Sequence, residues 1–169
     1  MRAVARELRW VQPHWNHRKY ELRDGDSTIA RLEHRGSWKP MVYIILDQEE
    51  LTIRGRGGLR PYIQILRGDQ EIARYEQTGK NKNHITFMTG RRFLWKRTGF
   101  WSATYDFKAP DNDVLMTFKT APRLFRSEAI VTLSAGSEKY PEQRILMAFG
   151  MYLLHAAAQV GMMAVAGAG

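Results

Sequence analysis

Cysteine is absent from the 169 residues. That excludes disulfides, thiolate metal sites and a thiol nucleophile, and it suits a reducing compartment. Charge is absent from Ile145 to Gly169, which contain no Asp, Glu, Lys or Arg. A helix built from such a run has no polar face for water, so it must either cross a membrane or fill the inside of its own protein. Acid is nearly absent from residues 80 to 108, where seven Lys and Arg meet one carboxylate, Asp106. A long apolar run is missing from Met1 to Trp10, which carries Arg2, Arg6 and Glu7. No cleaved secretory leader is therefore expected, and a cytoplasmic location is.

What is present argues for one folded domain. Hydrophobic residues make up 44 % of the chain, including seven Tyr, seven Phe and five Trp, enough for a substantial core. The net charge is +9. Most of the excess lies in Lys80, Lys82, Arg91, Arg92, Lys96, Arg97 and Lys108, a concentration that a uniformly solvated surface would not produce.

Residues before Pro141 read almost entirely as strand. Leu22-Arg23-Asp24-Gly25-Asp26-Ser27-Thr28-Ile29-Ala30-Arg31-Leu32-Glu33 is echoed by Leu66-Arg67-Gly68-Asp69-Gln70-Glu71-Ile72-Ala73-Arg74-Tyr75-Glu76, with Ile-Ala-Arg-x-Glu shifted by 43 positions. A fainter third copy opens at Tyr105-Asp106-Phe107-Lys108, turns at Ala109-Pro110-Asp111-Asn112-Asp113 and closes at Leu115-Met116-Thr117-Phe118. Each copy reads as a hairpin, because Gly, Asp and Asn accept turn dihedrals that β-branched and aromatic residues resist. Further strands are expected at Glu7 to Val11, Met41 to Leu46, Leu51 to Arg54, His84 to Met88, Arg92 to Lys96 and Glu128 to Leu133, with a polar turn at Asp47-Gln48-Glu49-Glu50. The total is ten to twelve strands in three units of about four.

A period near 43 also describes a propeller blade, but three units are too few for a ring and a propeller has no use for a long apolar helix. A closed barrel of ten to twelve strands has a lumen that side chains alone do not fill, and one apolar helix is a suitable plug. Pro141 and Glu142 would start that helix and Gly161 would stop it. Glu142 to Val160 would span roughly 28 Å at 1.5 Å per residue. Ile145, Phe149, Tyr152 and Leu153 on one side are matched by Met147, Met151 and Leu154 on the other, and full enclosure makes Ala157 an interior position. The alternative is a C-terminal membrane anchor; His155, Gln159 and the Gly/Ala-rich end make a poor lipid-facing helix. The expected organisation is a segment 1–14 with a candidate first strand, one barrel domain 15–160 with its central helix at about 142–160, and a tail 161–169.

The Ile29-Ala30-Arg31 and Ile72-Ala73-Arg74 hairpins, the Arg60-Pro61-Tyr62 and Trp101-Ser102-Ala103-Thr104-Tyr105 strand starts and the apolar C-terminal helix together resemble the LURP-one-related proteins. These belong with phospholipid scramblases and tubby proteins to one superfamily. The resemblance runs from about Trp15 to Gln159. It implies a mainly β fold, a closed, roughly twelve-stranded antiparallel barrel around a C-terminal central α-helix. Tubby domains bind phosphoinositides and scramblases are linked to lipid movement and calcium, yet Ser134 to Tyr140 lacks the Asp-rich calcium-ligand run of scramblases. Neither a calcium site nor scramblase activity is carried over.

No catalytic constellation is visible, and no cofactor or metal is expected. Arg54-Gly55-Arg56-Gly57-Gly58-Leu59-Arg60 lacks the third glycine of a nucleotide-binding loop, so it reads as a basic turn. His14 and His17 have no third ligand nearby, His155 reads as a hydrogen-bonded interior histidine, and Glu49, Glu50, Asp111 and Asp113 read as solvated turn residues. The functional expectation is a non-enzymatic barrel. Lys80, Lys82, Arg91, Arg92, Lys96 and Arg97, with Trp95 as an interfacial aromatic, would hold anionic phospholipid or phosphoinositide-like headgroups at a peripheral membrane site. Nucleic acid is the less favoured partner, and a structural or ligand-carrying barrel is the remaining reading. Strand alternation puts Arg92, Leu94 and Lys96 on one face and Arg91, Phe93, Trp95 and Arg97 on the other. The sequence does not fix an oligomeric state.

Overall fold

The computed structural model describes residues 5–14, 18–39, 41–79, 82–99, 103–123 and 126–166. Twelve strands follow one another: β1 (Arg6–Val11), β2 (Lys19–Asp24), β3 (Ser27–Arg35), β4 (Met41–Leu46), β5 (Glu49–Arg56), β6 (Tyr62–Arg67), β7 (Gln70–Gly79), β8 (Lys82–Phe87), β9 (Arg92–Arg97), β10 (Thr104–Lys108), β11 (Val114–Arg123) and β12 (Arg126–Leu133). A 3-10 turn at Ser137–Lys139 leads into the helix α1 (Gln143–Ala166). Every strand pairs antiparallel with its neighbours in sequence, and β1 pairs with β12 to close the barrel. Closure leaves no unpaired edge.

The 43-residue repeat is built into the wall. Gly25 and Gly68 hold φ of +57° and +59° at the same point of the β2–β3 and β6–β7 turns, a conformation that glycine adopts without strain. Each of these hairpins slips register at matching positions, Leu22/Arg23 and Ile65/Leu66, and the β10–β11 hairpin slips at Phe107/Lys108. The units are β2–β5, β6–β9, and β10–β12 completed by β1. Arg6–Val11 is thus part of the barrel and not a segment ahead of it. The β4–β5 turn is shorter than expected, because Glu49 and Glu50 already pair with Leu46 and Ile45.

Alternation along each strand sends apolar side chains inward. Val42, Ile44 and Leu46 of β4 are buried, as are Phe93 and Trp95 of β9. They share one core with α1, which lies in the lumen: Ile145 to Met151 are buried without interruption, about two helical turns covered on every side. The partners come from around the wall. Trp10 Nε1 of β1 donates to the Met147 carbonyl at 3.2 Å, Tyr75 of β7 packs edge-on to Phe149, and Phe118 of β11 lies against Gly150. Tyr20 of β2 stands over His155 at a ring separation of 4.3 Å.

The helix enters at the end of the barrel formed by the tight hairpin turns, here the turn end. Polar contacts to several of those turns fix it there. Arg91 from the β8–β9 turn donates twice to Glu142, at 2.7 and 2.8 Å, and Thr89 donates once. Arg144 donates to Asp47 at 2.7 Å and to the Ile29 carbonyl at 3.1 Å, and the guanidinium holds the Asp47 carboxyl below its ordinary range. Tyr140 and Lys139 both reach Asp111.

At the opposite, loop end the helix departs from expectation in two ways. It continues through Gly161 to Ala166. One glycine costs an interior helix only about 1 kcal/mol, and no proline follows to stop it. Enclosure ends earlier than expected, with Leu154 buried, His155 and Ala156 half-buried and Ala157 exposed. Among the described residues no helix is long and apolar enough to cross a membrane.

Candidate anionic-surface site

Strand β9 and its register with β8 and β10 decide which cations share a face. Phe93 and Trp95 point into the lumen, so Arg92, Leu94 and Lys96 point outward. Trp95 is 4 % exposed, stacked on Tyr105 at 5.0 Å with Phe107 and Phe118 around it. It therefore offers nothing to an outside surface, contrary to its expected interfacial role. The cause is cross-strand packing: in a closed wall the large aromatic of an alternating strand gains most by facing the core.

The other expected residues separate. Lys80 lies outside the described residues. Arg91 is exposed on one side but committed to the buried carboxylate of Glu142, so it serves the helix and not an external anion. Lys82, Arg92, Lys96 and Arg97 are exposed. Arg92 donates to Thr86 at 3.3 Å, and none of the four forms an ion pair with an acid among the described residues. Arg97 has the inward parity of β9 but ends the strand, which frees its side chain at the rim.

Register adds two cations. Lys108 of β10 and Lys119 of β11 face outward beside this group, and neither has an acidic partner among the described residues. Lys119 is far from β9 in sequence and joins the group only through the Thr104–Lys119 pairing. The single acid, Asp106, is 8 % exposed and accepts from Thr117 Oγ1 at 2.8 Å, although Lys96 is its cross-strand neighbour. The local positive field is visible at His84, whose imidazole is held below its ordinary pKa by burial first and then by Arg92 and Lys82.

The rest of the wall is arranged differently. Arg23 and Arg31 share Glu21, Lys19 and Arg35 share Glu33, Arg67 meets Glu49, and Arg74 meets Glu71 and Glu76. From β1 to β7, cations are largely matched by carboxylates on the same or the adjoining strand. On β8 to β11 they are not.

No other constellation gathers chemistry among the described residues. Arg54 to Arg56 end β5 and the glycines beyond lead into β6, so no helix follows to cradle a phosphate. Glu50 is paired with Arg35, and Asp111 accepts from the Asp113 amide. Among the described residues no three His, Cys, Asp or Glu lie close enough to hold a metal ion; His17 is outside them. His155 is interior but not hydrogen-bonded at Nε2, because its neighbours are the rings of Tyr20 and His34. Comparison of the chain with known protein families, curated proteins and solved structures finds no match in any of the three.

Proposed function

We propose that this is a tubby-like, LURP-one-like barrel without enzymatic activity that attaches to anionic phospholipid headgroups at the cytoplasmic face of a membrane. The observation that carries the reading is the unmatched charge of Lys82, Arg92, Lys96, Arg97, Lys108 and Lys119 on one side of a wall whose other cations are largely paired. Cations gathered on one face with few acids among them raise the local positive potential, and an external polyanion is attracted to it. Each cation near an anionic surface contributes ~1 kcal/mol, so a few of them give salt-sensitive attachment.

The test is sedimentation with vesicles of phosphatidylcholine alone, with phosphatidylserine, or with phosphoinositide, beside duplex DNA at matched charge, all near physiological salt. Wild type should bind both anionic vesicles and not the zwitterionic one. Arg92→Glu with Lys96→Glu should weaken binding by roughly tenfold or more while the melting temperature stays nearly constant. The same exchange at the paired Arg31 and Arg74 should weaken it less. Equal binding by both double variants removes the reading, and preferential binding of DNA replaces it with nucleic acid.

A further inference from the structure

The barrel is polar along its axis. Five of the six connections at the turn end carry Asp or Glu, whereas the six at the loop end carry none. The β3–β4 and β5–β6 connections at the loop end also share a pattern, Gly36-Ser37-Trp38-Lys39-Pro40 and Gly57-Gly58-Leu59-Arg60-Pro61: glycine, a small residue, a large apolar residue, a cation, proline. Trp38 is 93 % exposed and Leu59 fully so. Folding alone gives no reason to hold two such side chains in water at the tips of neighbouring loops. The helix leaves the barrel at this same end. From His155 to Ala166 it continues for roughly 16 Å at 1.5 Å per residue, without a charged residue.

We propose that the loop end is the membrane-facing end: Trp38 and Leu59 insert into the headgroup and acyl boundary of an anionic bilayer, and Lys39 and Arg60 hold the phosphates above them. An aromatic or aliphatic side chain with a neighbouring cation is the arrangement that suits this depth, since the apolar group enters the boundary while the ammonium or guanidinium stays with the headgroups. Charge complementarity selects an anionic bilayer, because the acidic turn end would be repelled from it and the acid-free end attracted. The inference rests on the proposed lipid attachment and adds its orientation and its apolar component. It also divides the wall strip. Lys82 begins β8 and Lys96 nearly ends β9 at the loop end, whereas Arg92 lies about 13 Å back along the strand at 3.3 Å per residue, toward the turn end.

The absence of cysteine makes a direct test clean. Ser37→Cys at a loop tip and Gln48→Cys in the β4–β5 turn, both exposed, each carry one environment-sensitive fluorophore. With phosphatidylserine vesicles the label at position 37 should shift to the blue and be quenched by brominated acyl chains, and the label at position 48 should do neither. In parallel, Trp38→Ser with Leu59→Ser should lose roughly tenfold or more of the partition that wild type retains at high salt, where charge is screened and apolar insertion is not. Lys96→Glu should weaken binding more than Arg92→Glu. Vesicle binding with no change at position 37, or with equal changes at both labels, overturns the end-on orientation and leaves the proposed function standing. If wild type binds no anionic vesicle, both fall.

Discussion

A methyl group added at Gly150 would overlap Cζ of Phe118, whose ring is itself held between Trp95 and Phe107. Neither the ring nor the enclosed helix has room to retreat. Gly150→Ala should therefore lower the melting temperature by several degrees, and adding Phe118→Leu should return part of the loss; additive losses in the double variant would show that the contact is not the cause. His155 makes a second residue-scale prediction. Burial first, and then His34, lower its pKa to about 4, while His34 is itself lowered by burial and Arg18. The unfolded chain takes up these protons near the ordinary imidazole value and the folded one only further into acid, so the unfolded state binds more protons in between. Stability should fall as pH drops from about 6.5 toward 4, and thermal unfolding of His155→Leu should show a flatter dependence. An unchanged slope in that variant would assign the acid sensitivity elsewhere. A close approach of wall side chains at Gly150 is legible in the sequence from the missing side chain, but its partner Phe118 is not, because only closure brings the two together; and nothing near position 155 tells a hydrogen-bonded histidine from one facing two rings.

At the scale of elements, local chemistry is legible and pairing around the wall is not. Gly25, Gly68 and the Asp111 to Asp113 turn announce their hairpins because turn dihedrals select those residue types. Met41–Leu46 can be read directly from an unbroken run of apolar, largely β-branched and aromatic residues closed by a polar turn. The inward face of Trp95 and the company of Lys119 escape a sequence reading for a common reason, since which face of a strand is outward, and which strand lies beside it, are properties of the closed sheet. Arg91 illustrates the consequence. It belongs by sequence to the basic cluster and by structure to the mooring of α1, so Arg91→Ala and Arg92→Ala should behave differently. The first strips Glu142, 5 % exposed, of its twofold donor and should cost about 1–3 kcal/mol. The second removes a surface hydrogen bond and should stay within about 0.5 kcal/mol. Denaturant midpoints of the two variants decide the matter, and equal midpoints would return Arg91 to the surface cluster.

For the molecule as a whole, the helix has two parts, to which the proposed attachment gives separable tasks. From Ile145 to Leu154 it is the core on which the wall folds, and by Ala157 it has emerged into solvent. The uncharged tail makes a plug legible in the sequence but leaves its boundary open, because apolar residues serve equally well against a barrel wall and beyond its rim. Two truncations separate the tasks. Ending the chain just after Arg144, the residue that grips Asp47, keeps the mooring but removes every buried side chain of α1 among the described residues. Large buried side chains contribute ~1.5–3 kcal/mol each, so the loss of Phe149, Leu146, Met147 and their neighbours exceeds the ~5–15 kcal/mol that stabilises an ordinary domain. That form should be insoluble or molten. Ending the chain after Ala157 keeps Ile145 to Leu154 in the lumen, and the product should unfold cooperatively at nearly the full-length temperature. Its partition onto phosphatidylserine vesicles should be weaker than that of the full chain but not abolished, because Trp38 and Leu59 remain at the loop end. A form ending after Ala157 that fails to fold would mean that the barrel depends on the helix beyond its rim, and a folded form ending after Arg144 would mean that the lumen does not need the helix at all.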